Sequence, residues 1–207
     1  MIDSAKNATD LFGQADAIDA ALKLLIASYD HGGKLMICGN GGSAADCEHI
    51  VGELMKGFCL PRKLSTEDRE KLVNNGGNGK MLAECLQYGL PAISLVSHSS
   101  LITAITNDIN SDMIFAQQVW AIGKQDDLLL AISTSGNSIN VLHAAETARA
   151  KSIPVIGLTG HSGGKLASLC NVLIAAPSNH VAKIQEMHLP LYHEICRRIE
   201  AHYFTSK

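Results

Sequence analysis

The sequence predicts an α/β protein built on a mostly parallel β-sheet, and three observations support this prediction. Five short apolar runs recur along the chain, and each is apolar almost throughout, as in strands that are covered on both faces. Helix-like segments separate the runs, so strand and helix alternate. A length of 207 residues favours one domain, spanning 1–207, over two.

The elements follow in order. An amphipathic helix is predicted over 3–30, where Leu11, Ile18, Leu22 and Leu25 recur at helical spacing and glycines follow at 32–33. The predicted strands are 34–38, 91–96, 127–133, 153–159 and 171–176. The predicted helical segments after them are 43–56, 99–122, 138–151, 163–170 and 181–204. In the last of these, Pro190 is expected to kink the helix or to start a fresh turn.

A polar excursion at about 61–90 interrupts this alternation. It carries many charges and a glycine- and asparagine-rich stretch at 74–79, and Ser65 or Thr66 is suited to cap a helix within it. A connection of this length in a compact domain is usually a lid, an oligomer contact or a mobile loop. The residues do not decide among these three.

Composition excludes several classes of protein. The net charge is −3 and the pI about 6.3, which gives no basic surface for nucleic acid. No apolar stretch is long enough for a membrane helix, and the N-terminus does not read as a secretory signal. The six cysteines form no C-x-x-C pair, which argues against a zinc finger or a disulfide framework. We therefore expect a cytoplasmic protein without nucleic-acid or membrane partners.

Two strand-to-helix turns have unusual composition. The first runs from Cys38 to Ala45 and is glycine-rich, and the second, from Ile132 to Ser138, holds four hydroxyl side chains. Both follow strands at the edge where ligands bind in open α/β sheets, and helix starts offer unpaired N–H groups to a phosphate. The alternative is that both are tight turns with Ser43 and Ser138 as helix caps. Neither is a dinucleotide or P-loop motif, which disfavours nucleotides.

A second candidate site involves imidazoles and a carboxylate. His49 and Glu53 are four residues apart and share one face of a predicted helix, while Gln185, His188 and His193 lie on the last helical segment. Such donors suit a divalent metal such as zinc. The alternative is that they are surface polar residues, since nine histidines leave several without a function.

Several segments together resemble a known family. They are residues 39–43, Asp46, His49, 53–54, 107–108, 132–138, 158–160, 163–165 and 184–188. This set resembles the sedoheptulose 7-phosphate isomerases, or phosphoheptose isomerases, of the sugar-isomerase (SIS) domain proteins. The resemblance covers nearly the whole chain except 61–90. The serine loop alone indicates only a SIS domain, whereas the combination of His49, Glu53, Gln185 and His193 is more specific.

The resemblance implies a doubly wound five-stranded parallel sheet flanked by helices, and a homotetramer with active sites at subunit interfaces. It implies a sugar-phosphate substrate and a place in heptose or lipopolysaccharide biosynthesis. It implies Glu53 and His193 as the catalytic acid/base pair, and one zinc ion per subunit at His49, Glu53, Gln185 and His193. The substrate-binding residues that it implies are Asn40, Gly41, Gly42, Ser43, Asn107, Asp108, Ser133, Thr134, Ser135, Ser138 and Gln185.

Two departures from the family keep alternatives open. Family members carry an acidic residue three positions before the glutamine, where this chain has Ala182, and the 61–90 excursion is longer than in the shorter members. One alternative is an isomerase of another sugar phosphate, such as an arabinose or hexulose phosphate. Another is a non-catalytic SIS module that senses a phosphosugar or bridges proteins, although those modules lack parts of the catalytic set.

Overall fold

The computed structural model describes residues 11–205. It contains a five-stranded sheet whose paired strands are all parallel, as predicted. The strands are β1 Leu35–Cys38, β2 Ala92–Ser94, β3 Leu128–Ser133, β4 Val155–Gly160 and β5 Val172–Ala176. The α-helices are α1 Ala15–Asp30, α2 Gly42–Met55, α3 Thr66–Asn74, α4 Gly79–Cys85, α5 Ser99–Asp108, α6 Ala116–Ile122, α7 Ile139–Ala150 and α8 Val181–Phe204.

The strand order is β2-β1-β3-β4-β5. Strand β1 pairs with β2 along one edge and with β3 along its other edge, where Cys38 lies beside Ala131. The chain therefore passes from β1 to β2 in one direction across the sheet and then crosses back over β1 to reach β3. The winding direction therefore reverses between β1 and β3. In open parallel sheets, the crevice beyond the carboxyl ends of the strands at such a reversal is where ligands bind.

Alternate residues of the strands pack into two apolar cores, one on each face of the sheet. Leu35 and Ile37 join α1, α2 and α8 on one face, while Met36 and Cys38 join α6 and α7 on the other. Burial on both faces explains why the strands read as continuous apolar runs. The predicted doubly wound α/β fold is thus confirmed.

Three predicted helices differ from the observed ones. The helix predicted over 3–30 is helical only from Ala15, residues 11–14 are not helical, and its predicted start lies outside the described residues. The segment 99–122 is divided by a 3₁₀ turn at Ser111–Met113, where the Asn110 side chain accepts a hydrogen bond from the Asp112 N–H. The segment 163–170 is a 3₁₀ helix, Lys165–Leu169. Helix α8 continues through Pro190 as one element, so no fresh turn begins there.

The polar excursion at 61–90 folds as a helical hairpin of α3 and α4. Ser65 caps α3 by accepting a hydrogen bond from the Asp68 N–H at 3.1 Å, which confirms one of the two predicted caps. An antiparallel bridge between Lys63 and Gln87 closes the base of the hairpin. Across residues 11–205, no helix combines the length and apolar character that a bilayer crossing requires.

Candidate active site

The two loops singled out in the sequence meet at the reversal point of the sheet. One follows β1 and the other follows β3, so both lie beyond the carboxyl ends of neighbouring strands. A reciprocal amide pair ties the loop after β1 to the start of α7: Asn40 Nδ2 donates to Asn140 Oδ1 at 2.8 Å, and Asn140 Nδ2 donates to Asn40 Oδ1 at 3.0 Å. The predicted phosphate loops therefore form one continuous rim.

The loop after β1 presents the start of α2 to this rim. Gly41 has φ +56°, a conformation that favours glycine, and it precedes the first helical residue, Gly42. No side chain caps this helix start. The N–H groups of Ser43 and Ala44 bond the Asn40 and Gly41 carbonyls, so the N–H groups that precede Ser43 are the ones offered to an anion. Ser43 is buried within the first turn and is not the cap, so that alternative interpretation is wrong for this loop.

The loop after β3 gathers hydroxyl groups. Ser133 Oγ and Ser138 Oγ are hydrogen-bonded at 3.0 Å, while Ser135 is exposed and accepts a hydrogen bond from the Asn137 N–H. Ser138 precedes α7, but its side chain makes no capping hydrogen bond. Gly136 has φ +64°, and a Cβ there would come within 2.0 Å of the Gly163 carbonyl oxygen. Backbone packing of this kind holds the hydroxyls of Ser133, Thr134, Ser135 and Ser138 in one turn.

Helices α2 and α8 bring together residues far apart in the sequence. At one end, Gln185 lies against Gly42, where an added Cβ would approach Gln185 Nε2 to 2.4 Å. Further along both helices, His193 reaches His49, with 3.4 Å between their Nε2 atoms. The two helices therefore run side by side in the same direction, from the phosphate loop toward the histidine pair.

His49, Glu53 and His193 form a compact polar cluster. His49 Nε2 is 3.2 Å from Glu53 Oε1, and the other oxygen of Glu53 is 3.0 Å from Lys56 Nζ. The Glu53 side chain is only 13% exposed, whereas His49 is 42% exposed, so the cluster opens to solvent on the imidazole side. The structure thus brings the two predicted catalytic residues to the same imidazole.

Three residues to which the sequence assigned no role, Asp46, Phe58 and Tyr192, complete the cluster. Tyr192 Oη lies 2.9 Å from His49 Nδ1 and 3.2 Å from Asp46 Oδ1. Phe58 packs against the His193 ring, with 5.2 Å between ring centroids. The sequence signal for Asp46 was its position three residues before His49 on one helical face, and for Tyr192 its place next to His193.

Burial shifts the acid–base properties of this cluster. Burial lowers the pKa of His193, and the nearby His49 adds to this effect, while Glu53 opposes it. Burial raises the pKa of Asp46 against the opposing influence of Tyr192 and His49. Burial and the adjacent Asp46 raise the pKa of Tyr192, so its hydroxyl keeps its proton and acts as a donor.

A buried ion pair supports the end of α2 that carries Glu53. Arg62 Nε donates to Glu200 Oε1 at 2.9 Å, and both side chains are fully buried. The Arg62 guanidinium also donates to the carbonyl oxygens of Glu53 and Leu54, at the C-terminal end of the helix. Glu200 in turn accepts three backbone N–H groups of the following loop, from Phe58, Cys59 and Leu60.

Asn107 and Asp108 are not joined to either loop. They end α5, both are exposed, and Asn107 Nδ2 donates to Asp108 Oδ1 at 2.7 Å. Within residues 11–205, neither side chain is hydrogen-bonded to the phosphate loops or to the histidine cluster. Their predicted role in substrate binding stays a prediction.

Three of the four predicted zinc ligands, His49, Glu53 and His193, lie close together, and their donor types suit the metal. The distances from His49 Nε2 to Glu53 and His193, 3.2 and 3.4 Å, are close to the separation of about 3.3 Å between donors on a tetrahedral zinc ion. Gln185 is eight residues from His193, about 12 Å along the helix, and no hydrogen bond in the described part joins it to the other three. Among the described His, Cys, Asp and Glu side chains, no group of three or more is arranged to hold an ion.

Comparison with known proteins identifies the class. The family model for the SIS domain matches residues 3–68 and 65–160 of the chain. Curated relatives include a phosphoheptose isomerase of Rhodospirillum rubrum, 42% identical over 90% of this chain and 86% of the relative. Another, from Aliarcobacter butzleri, is 39% identical over 89% of this chain and 85% of the relative.

Solved structures agree with the curated relatives. A phosphoheptose isomerase from Neisseria gonorrhoeae superposes with a TM-score of 0.74 at 33% identity, covering 96% of this chain and 91% of that one. One from Francisella tularensis gives the same values. The chain therefore belongs to the phosphoheptose isomerase family of SIS-domain proteins, which confirms the predicted family, fold and class of enzyme.

Proposed function

We propose that this chain interconverts sedoheptulose 7-phosphate and a heptose 7-phosphate through an enediol, in heptose biosynthesis. The observation that carries the proposal is the placement of Glu53 and His193 around one imidazole, on the two helices whose starts lie at the phosphate loops. A proton-transfer pair and an anion-binding rim are the two parts that an aldose–ketose isomerisation of a phosphorylated sugar requires.

Proton transfer is the chemical step. A base removes a proton from C1 of the ketose, and the resulting enediol is protonated at C2 to give the aldose. Glu53 is suited to carry this proton, because its largely buried carboxylate lies 3.2 Å from the His49 imidazole, in the cluster that also holds His193. His193 is suited to move the proton between the two oxygens, because burial lowers its pKa and so favours a neutral ring that both accepts and donates.

The phosphate supplies binding energy away from the reacting carbons. The Ser133, Ser135 and Ser138 hydroxyls and the uncapped start of α2 together offer donors to a dianion. Holding the phosphate at this rim fixes one end of the sugar. Binding energy from a remote group then orients the reacting end.

We also propose that His49, Glu53 and His193 bind one zinc ion. Because Gln185 lies about 12 Å along α8 from His193, the fourth ligand that the resemblance implies would have to come from a neighbouring subunit. The support is their donor types and the two inter-donor distances at His49 Nε2. A zinc ion would supply charge stabilisation for an enediolate oxygen. Zinc content of the purified chain, measured by inductively coupled plasma mass spectrometry, tests this, and His193→Ala should lower that content.

We propose a homotetramer in which neighbouring chains cover exposed apolar side chains. Trp120 is 61% exposed, Ile109 62% and Ile139 54%, and a subunit contact would cover large apolar side chains such as these. The number four comes from the family resemblance. Sedimentation should give a stable species near four times the 22.0 kDa chain mass, and a monomer at micromolar concentration contradicts the proposal.

The cytoplasm is the compartment that we propose. All six cysteines are unpaired, and Cys38, Cys47 and Cys196 are buried as small apolar side chains. Free thiols of this kind persist where the environment is reducing. A cell fractionation that recovers the chain with cytoplasmic markers is the expected result, and recovery in an oxidising compartment contradicts it.

The test of the activity is a panel of ketose phosphates incubated with the chain and followed by NMR. Formation of an aldose from sedoheptulose 7-phosphate alone is the expected result. Turnover of a shorter ketose phosphate instead would favour an isomerase of another sugar phosphate, since Ala182 stands where the family carries an acidic residue. Phosphosugar binding without turnover would favour the non-catalytic SIS module.

A further inference from the structure

The Tyr192 hydroxyl lies between a carboxylate and an imidazole. Its oxygen is 3.2 Å from Asp46 Oδ1 and 2.9 Å from His49 Nδ1. Tyr192 is 2% exposed, so water does not compete freely for these contacts. A phenol has one proton, and it donates to only one of the two neighbours at a time.

The surroundings of Asp46 decide where that proton goes. Within residues 11–205, Tyr192 is the only hydrogen-bond donor to the Asp46 side chain, and Asp46 Oδ2 is buried without a partner. If Tyr192 donated to His49, the carboxylate would have no donor at either oxygen, which is costly for a buried polar group. Tyr192 therefore donates to Asp46, and its oxygen accepts a hydrogen bond from the Nδ1–H of His49.

We propose that Tyr192 is a positioning residue for the isomerisation, because it accepts a hydrogen bond from the Nδ1–H of His49 and so fixes the ring whose Nε2 faces Glu53 and His193. The hydrogen bonds from His49 Nδ1–H to Tyr192 and from Tyr192 to Asp46 orient the imidazole from its Nδ1 side, as partners of functional histidines commonly do. This role rests on the proposed function, since it concerns the same cluster.

The packing of the rings fixes the orientation further. The Tyr192 ring contacts both imidazoles edge-on, with centroid distances of 5.6 Å to His49 and 5.1 Å to His193. Held in this orientation, His49 Nε2 lies 3.2 Å from Glu53 Oε1 and 3.4 Å from His193 Nε2. Loss of the Tyr192 hydroxyl would leave His49 Nδ1 without this partner and free the ring to turn away from both residues.

The direct test is a tautomer measurement on His49 in the full chain, labelled with ¹⁵N-histidine and treated with a chelator. Long-range ¹H–¹⁵N spectra report which ring nitrogen carries a proton, and His49→Gln assigns the signal. The parent chain should show a proton on Nδ1 of His49, and Tyr192→Phe should shift the Nδ1 signal or remove it. A parent His49 without a proton on Nδ1, or an Nδ1 signal that Tyr192→Phe leaves unchanged, would overturn the proposal.

Kinetics with a matched control give the second readout. Tyr192→Phe should lower kcat for sedoheptulose 7-phosphate by about 10–100-fold, with KM changed less than about twofold. Tyr203→Phe removes the hydroxyl that donates to Asp30 at 2.7 Å on the same helix, and it should leave kcat unchanged. Equal kcat in the two variants would overturn the role of Tyr192. An inactive parent chain would instead overturn the proposed function, while the tautomer measurement still decides the role of Tyr192.

Discussion

Arg62 and Glu200 form a fully buried ion pair across 138 residues of sequence, and the pair connects the end of α2 to α8. Burial acts to raise the pKa of Glu200, but the N–H groups of Phe58 and Cys59 and the Arg62 guanidinium outweigh it, so the pKa lies below its usual value. The carboxylate is therefore charged in the folded protein. Because Arg62 also binds the carbonyls of Glu53 and Leu54, the pair fixes the helix end that carries the proposed base.

Replacing Arg62 and replacing Glu200 should both lower the free energy of unfolding, but by different amounts. Arg62→Met leaves Glu200 with its three backbone donors and should cost about 3–5 kcal/mol. Glu200→Leu leaves a buried guanidinium without its counter-charge and three N–H groups without an acceptor, so its cost should be larger. Urea unfolding measures both, and Arg198→Met, a partly exposed arginine on the same helix paired with Asp19, is the control. Equal costs for the two buried variants would contradict this account.

The serine loop is expected to bind the phosphate. Ser135→Ala should raise KM for the sugar phosphate by about tenfold or more with little change in kcat, because it removes a hydrogen bond to a charged group that ground and transition states share. Ser168→Ala removes an exposed hydroxyl from the 3₁₀ helix Lys165–Leu169 and is the control. Initial-rate kinetics check both variants, and an unchanged KM in Ser135→Ala would remove that residue from the site.

The protein should become less stable as the pH is lowered, because His188 is buried in its neutral form. Its ring is fully buried, Nε2 is 3.1 Å from the Thr159 carbonyl oxygen, and burial lowers its pKa from the usual 6.5. The unfolded chain takes up a proton near pH 6.5 and the folded chain does not, so the free energy of unfolding decreases below that pH, by up to about 1.4 kcal/mol per unit.

Urea unfolding at pH 7.5 and 5.5 measures this effect. His188→Gln should show a smaller decrease than the parent, because glutamine binds no proton, while His202→Gln, exposed on the same helix, should behave like the parent. The same decrease in all three proteins would show that His188 does not carry the effect.

The strands were predictable because burial on both faces makes each of them apolar throughout, as in Leu128–Ser133. The phosphate loops were predictable because glycines and hydroxyls follow directly after those strands. The break at Ser111–Met113 was missed, although the polar run around Asn110 marks it: the Asn110 side chain binds a backbone N–H and competes with the helix.

The contacts around the cluster were harder to predict. Tyr192 meets Asp46 across 146 residues, and Arg62 meets Glu200 across 138. Neither pair has a local sequence pattern, because both depend on how α8 packs beside α2 and the loop that follows it. Helical spacing placed His49 and Glu53 on one face, but only tertiary packing places His193 against them.

The central claim is that Glu53 carries the proton between C1 and C2, and hydrogen exchange tests it most directly. Glu53→Gln keeps the shape of the side chain and removes the base, so kcat should fall by about 10²–10⁴-fold with phosphate affinity nearly unchanged. Glu48→Gln, the same change at an exposed glutamate of α2 that accepts a hydrogen bond from Ser97, is the control. In D₂O the parent should incorporate deuterium at the carbon next to the carbonyl, and Glu53→Gln should lose this exchange in step with kcat. Exchange at the parent rate in Glu53→Gln would contradict the claim.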